Sequence, residues 1–121
     1  MSNYSEYALY LLEQLEVLGG IQMKRMFGGV CFTQYGLAFA IMPNEGLYFV
    51  VDELTRPQYE AYGMSCFAYD TKKSRVQVRR YFAVPEEVLA DHGILLRWAK
   101  AAIQSARNTP TKASKRKAIQ L

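Results

Sequence analysis

The side chains in this sequence that could do chemistry are few and widely separated. His92 is the single histidine and follows Asp91, a neighbour that could orient it as a general base. It also sits between turn-forming residues at the joint of two helical stretches, and a capping or solvent-facing role explains it more simply. Cys31 and Cys66 could act as nucleophiles only beside a base, and His92 is the one available. Both lie in apolar, strand-like runs and are expected to be free, buried thiols. Zinc binding calls for closely spaced Cys and His pairs, whereas these two cysteines stand 35 positions apart with no C-x-x-C. Asp52 and Glu53 are adjacent, so their side chains diverge, and Asp52 and Glu86 read as helix caps. Ser5, Ser65, Ser74, Ser105 and Ser114 have neither a nucleophile-elbow context nor a nearby histidine. Gly28-Gly29 could open a phosphate loop, but such loops run into a helix with Lys-Ser/Thr, and here Val-Cys-Phe follows. The expectation is a protein with no catalytic residue, no metal ligand and no cofactor.

Cations offer a second kind of chemistry. The chain carries 15 Lys and Arg against 11 Asp and Glu, a net charge of +4. Four of the cations, Lys112, Lys115, Arg116 and Lys117, follow Asn108, so the excess is the tail and the body is balanced. Within that body Lys72, Lys73, Arg75, Arg79 and Arg80 form a cluster, flanked by Tyr69, Tyr81 and Phe82. Exposed aromatics among cations can stack on bases, so these nine cations are the candidate nucleic-acid contacts. The competing reading makes the alternating aromatics core and the cations a wet face. Four tail cations alone would bind phosphate weakly and without regard to sequence.

The elements that must position these groups are set by periodicity. Ala8, Leu11, Leu12, Leu15 and Leu18 recur at helical spacing behind a Ser5 cap, and Gly19-Gly20 ends the helix. From Met26 the apolar residues come in β-rich bursts: Phe27 to Thr33, Leu37 to Met42 and Leu47 to Val51, separated by Gln34-Tyr35-Gly36 and Pro43-Asn44-Glu45-Gly46. That pattern predicts a three-stranded meander, with Ile21 to Arg25 leading into its first strand and Gly28-Gly29 marking a bulge or a close approach of another backbone. A short helix over Arg56 to Tyr62, capped by Thr55, crosses to a hairpin of Ser65 to Tyr69 and Val76 to Val84 with the basic cluster at its tip. Pro85 opens a last helical region, interrupted at Asp91-His92-Gly93 and carrying the stripe Leu95, Ala99, Ala102, Ile103 and Ala106.

The expected fold is an α+β two-layer sandwich in the order α-β-β-β-α-β-β-α, with an antiparallel five-stranded sheet and helices on one face. A chain of 121 residues that is 50% hydrophobic supports one domain, assigned to residues 1–107, with 108–121 as a flexible basic tail. No apolar run approaches the roughly 18 residues a bilayer span needs, and the N-terminus lacks a secretory pattern, so the expected location is cytoplasmic with no membrane partner. Open sheet edges and a helix-free face leave room for a homodimer.

Several runs, taken in order, resemble one family. MFGGVCFTQYGLAFAIM, LYFVVDE, RPQYEAYGMSCFAY, and YFAVPEEVLAD with LLRWAKAAI together are similar to the TfoX N-terminal domain family, the Sxy-type regulators of natural competence. The resemblance runs from about Leu12 to Ala106 and rests on Met26-Phe27-Gly28-Gly29, Asp52, Gly63 with Phe67, and Tyr81 through Pro85 to Trp98. It implies a two-layer, secretion-chaperone-like α/β domain without catalytic residues. It also implies a transcriptional co-regulator that works through a protein partner, a cyclic-AMP receptor protein in the full-length members. Those members carry a second, C-terminal domain where this chain has its short basic tail. The implied function is a non-enzymatic interaction domain contacting transcription machinery or a regulator, with a nucleic-acid binder as the alternative and a small-ligand or enzymatic domain as a further one.

Overall fold

A computed structural model of the chain describes residues 4–26 and 28–108. Helix α1 (Glu6–Leu15) starts where the Ser5 hydroxyl accepts a hydrogen bond from the Ala8 N–H at 3.1 Å, the expected cap. The helix closes through a 3-10 turn, Glu16–Leu18. Gly19 and Gly20 follow at φ 82° and 71°, left-handed values that favour residues without a Cβ. Ala8, Leu11 and Leu15 are buried along one stripe.

Six strands follow, one more than the five expected: β1 (Ile21–Met26), β2 (Gly29–Gln34), β3 (Leu37–Met42), β4 (Tyr48–Val50), β5 (Cys66–Asp70) and β6 (Arg75–Ala83). All neighbours are antiparallel, in the order β1-β2-β3-β4-β6-β5. The extra strand is Ile21–Met26. It does not lead into β2 but pairs with it, Met26 opposite Gly29 and Ile21 opposite Gln34, so Gly28 belongs to a reversal of the chain and not to a bulge. The other glycine meets the alternative expectation. A Cβ on Gly29 would stand 2.0 Å from the Met42 carbonyl oxygen and 2.7 Å from Pro43 Cα, so the backbone beside β3 comes too close for any side chain. The bulges lie elsewhere, where β2 slips against β3 at Phe32 and Thr33, and where β5 slips against β6 at Cys66 and Phe67.

Three further helices, α2 (Arg56–Ala61), α3 (Glu86–Leu89) and α4 (His92–Asn108), complete the described residues. At α2 the capping differs from expectation: Thr55 gives the helix no side-chain bond. Asp52 does the work, its Oδ1 accepting from the Leu54 and Thr55 N–H groups at 2.9 and 3.0 Å, while the Thr55 hydroxyl accepts from the Asp52 N–H. Burial opposes ionisation of Asp52, but hydrogen bonds from Thr55, Ser105 and Leu54 outweigh it and hold the carboxyl below its ordinary value. A carboxylate whose folded pKa is depressed stabilises the fold above its unfolded pKa, near 3.9, and loses that contribution as pH falls through the folded value. Replacing Asp52 by alanine should therefore cost about 1 kcal/mol at neutral pH and remove this acid-sensitive component, read from urea unfolding midpoints at pH 7 and pH 3.

The stripe of α4 predicted from spacing, Leu95, Ala99, Ala102, Ile103 and Ala106, is buried throughout. It packs with Phe32, Phe39, Phe49 and Phe82 of the sheet and with Leu11 and Leu15 of α1 in one core. Trp98, expected at the edge of that stripe, is buried too, with Tyr59 edge-on at 4.8 Å. The α4 helix includes Asn108, one residue into the stretch assigned to the tail. The rest of that stretch, with Lys112, Lys115, Arg116 and Lys117, lies outside the described residues, as does Phe27. No helix among the described residues is long and apolar enough to cross a membrane.

Candidate functional site: the helix-free face of the sheet

Strand alternation sorts the sheet into two faces. Val30, Phe32, Ala40, Met42, Phe49 and Phe82 share one, by register, and belong to the core under the helices. The residues between them point the other way. Cys31 stands opposite Ile41, Ile41 opposite Tyr48, Phe67 opposite Val78 and Tyr69 opposite Val76. The Tyr48 and Phe67 rings meet edge-on at 5.4 Å, and Phe67 lies 5.9 Å from Tyr69. This second face is thus a ribbon of apolar and aromatic side chains crossing five strands, with no helix of the described residues over it. Most of its members are half-buried by one another; Tyr69, at its end, is 47% exposed.

Two cations border the ribbon. Lys24 pairs in register with Cys31, and Arg80 donates a hydrogen bond to the Tyr81 side chain. Burial pushes the Cys31 thiol up against a weaker opposing pull from Lys24, which favours the protonated form. Tyr81 is raised chiefly by burial as well. Both cysteines are free, as expected, but half-buried where full burial was expected.

The basic cluster is divided by the same alternation. Thr71 closes the β5–β6 turn, its N–H donating to the Ser74 carbonyl at 2.7 Å and its hydroxyl accepting from the Lys73 and Ser74 N–H groups, so Lys72 and Lys73 stand exposed at the tip. Arg75 is held by Asp70 at 3.1 Å, a surface pair of little energetic weight. With Val76 and Val78 on the aromatic face, Arg75 points to the opposite one, away from Tyr69. Phe82 is 5% exposed, inside the core. Of the aromatics and cations expected to interleave, register thus separates Arg75 from Tyr69, the core takes Phe82, Arg79 stands exposed, and Arg80 meets Tyr81.

The other candidate groups are dispersed too. His92 Nδ1 is hydrogen-bonded to Gln14 Oε1 in the helical layer, across the sheet from Cys31. Asp91, beside it, caps α4 by accepting from the Ile94 N–H at 3.0 Å. Among the described residues no three His, Cys, Asp or Glu gather as they would around a metal. An open groove of about 530 Å³ is lined by Glu16, Gly20, Ile21, Gln22, Tyr35 and Gly36, and a smaller one of about 100 Å³ lies between Ser5, Arg25, Gly29 and Asn44. Neither brings ionisable groups into convergence. The aromatic face could have been found from the sequence by pairing the alternate residues of each strand, but β1 and the position of the bulges were needed to say which set faced out.

No curated protein matches the chain at a significant level. A family model described as the TfoX N-terminal domain matches residues 13–106, most of the sequence and all six strands. The glycine pair with its close backbone approach, the Asp52 cap and the run from Tyr81 to Trp98 all fall within that match, and the chain belongs to the TfoX N-terminal domain family.

Proposed function

We propose that this is a non-enzymatic interaction domain that takes part in transcriptional regulation, of the competence-related kind its family suggests, by contacting a protein. The observation that supports it is the apolar ribbon of Ile41, Tyr48, Phe67, Tyr69, Val76 and Val78, which no helix of the described residues covers. Such a face recruits apolar partner surface, and aromatic residues dominate the energetics of contacts of this type. The partner class of this proposal is transcription machinery or a regulator, as the resemblance to Sxy-type regulators implies.

Affinity capture from native lysate tests the reading. Wild-type protein should retain a transcription factor or polymerase component in gentle salt, and Tyr48→Ala should weaken that retention at least tenfold while lowering the unfolding temperature by only a few degrees. Retention of the same components by both proteins, or of none by either, would count against it. Direct nucleic-acid binding through Lys72, Lys73, Arg75, Arg79, Arg80 and the tail cations is the second reading, favoured by the exposure of Lys72 and Lys73 at the hairpin tip. On that reading Lys72→Glu with Lys73→Glu, and not Tyr48→Ala, removes the activity.

A further inference from the structure

The sheet ends in two edges that are treated very differently. At β1 the edge carries two exposed cations, Lys24 and Arg25, and Arg25 lies over the Tyr4 ring at 4.7 Å. Charges of this sort are how natural proteins keep an edge from pairing with another chain. At β5 the edge reads CFAYD, with no Lys, Arg or Pro, and among the described residues it pairs only with β6.

Hydrogen-bond parity says which peptide groups this edge presents. The Thr71 N–H bonds the Ser74 carbonyl, and bonded pairs alternate along an antiparallel ladder, so Phe67 and Tyr69 turn their peptide groups toward β6. Ala68 and Asp70 turn theirs outward. Past the bulge, the Ala83 N–H bonds the Ser65 carbonyl, which turns Cys66 outward as well. Three successive outward positions are thus available to one further strand.

We infer that β5 pairs antiparallel with β5 of a second copy of this chain about a two-fold axis at Ala68. In that register Ala68 meets Ala68 and Cys66 meets Asp70 of the other copy, each a narrow pair exchanging two hydrogen bonds. Tyr69 then stands opposite Phe67 of the other copy, so the ring ladder Tyr48–Phe67–Tyr69 continues across the axis. A two-fold axis at Asp70 would place two carboxylates face to face, and charge rejects it. The hairpin tip with Lys72 and Lys73 runs out beside Gly63 and Met64 of the other copy, in the turn where the Gly63 N–H bonds the Glu60 carbonyl, an acid near two cations. The product is one continuous sheet whose two aromatic ribbons merge. This pairing does not depend on what the ribbon binds.

Sedimentation velocity on the full chain tests it. The wild type should reach twice the chain mass of 13.8 kDa by ~100 µM. Ala68→Pro removes an N–H that β6 does not use, a change edge strands accept, and should raise the dimer dissociation constant at least tenfold. A second variant covers a failure of Ala68→Pro to fold. Ala68→Cys with Cys31→Ser and Cys66→Ser should form an intermolecular disulfide on mild oxidation, because a narrow pair brings the Cα atoms to about 5.5 Å. Gln77→Cys in the same background, on the interior strand β6, should not. A wild type that stays monomeric to ~1 mM, a dimer that folded Ala68→Pro leaves intact, or equal cross-linking at positions 68 and 77 would overturn the inference.

Discussion

Replacing Gly29 by alanine is expected to cost about 3 kcal/mol and to lower the midpoint of thermal unfolding by roughly 10 °C or more. The reason is contact with backbone and not loss of conformational freedom. The added methyl would lie 2.0 Å from the Met42 carbonyl oxygen and 2.8 Å from the Pro43 carbonyl carbon, atoms that cannot swing aside as a flexible side chain can. Relief requires β2 and the end of β3 to separate, and Val30 opposite Met42, both buried, would open with them. Gly28→Ala is the control, since a Cβ there meets nothing within 4 Å. Differential scanning calorimetry of the two variants should separate them clearly. Equal melting temperatures would mean that the close approach is not a feature of the folded chain.

Phe49→Ala should be more damaging, at about 3–5 kcal/mol, the usual range for truncating an aromatic ring in a packed core. Phe49 is fully buried in the central strand β4, opposite Ala40 on one side and Phe82 on the other, with the Phe39 ring 6.2 Å away. A domain of this size is stabilised by only ~5–15 kcal/mol, so the variant should be near the edge of folding at 37 °C. Its neighbour Tyr48 points to the opposite face. Tyr48→Ala should cost about 1 kcal/mol, with its main effect on partner binding. Guanidinium titrations of the adjacent pair thus test the division of the sheet into a face that folds the protein and a face left over. A Tyr48→Ala loss equal to that of Phe49→Ala would show that both faces serve the core.

Much of the fold was legible in the residues, for identifiable reasons. The leucine stripe of α1 with its Ser5 cap and the small-residue stripe of α4 each follow one strong period against a polar background. The basic hairpin was bounded by turn residues on both sides. What escaped was β1, because Ile21–Met26 alternates Ile and Met with Gln and Lys, a weaker signal than the Val, Phe and Tyr runs that follow. Gly28-Gly29 was then open to being read as an interruption within one strand, when it marks the reversal between two. The bulges lacked any glycine to announce them. At Phe32 and Thr33 the slip lets Phe39 and Ala40 both join the core, a choice made by packing against α4 and not by local propensity.

The candidate site was less legible than the fold. The cations were plain in the sequence, but whether they shared a face with the aromatics depended on register, and register separated Arg75 from Tyr69. Tyr59 shows the same limit. It lies buried between Phe82 and Trp98, and burial alone raises its hydroxyl pKa, yet its sequence neighbours Gln58 and Glu60 suggest a wet helix.

Hydroxyl-radical footprinting of the chain alone and in complex with a captured partner would probe most directly which surface does the binding. Protection should concentrate on Tyr48, Phe67 and Tyr69, while Tyr7 and Tyr10, stacked on the exposed side of α1, keep their reactivity. Protection of Tyr7 and Tyr10 with the sheet rings unchanged would contradict the account, because the partner would then sit on the helices.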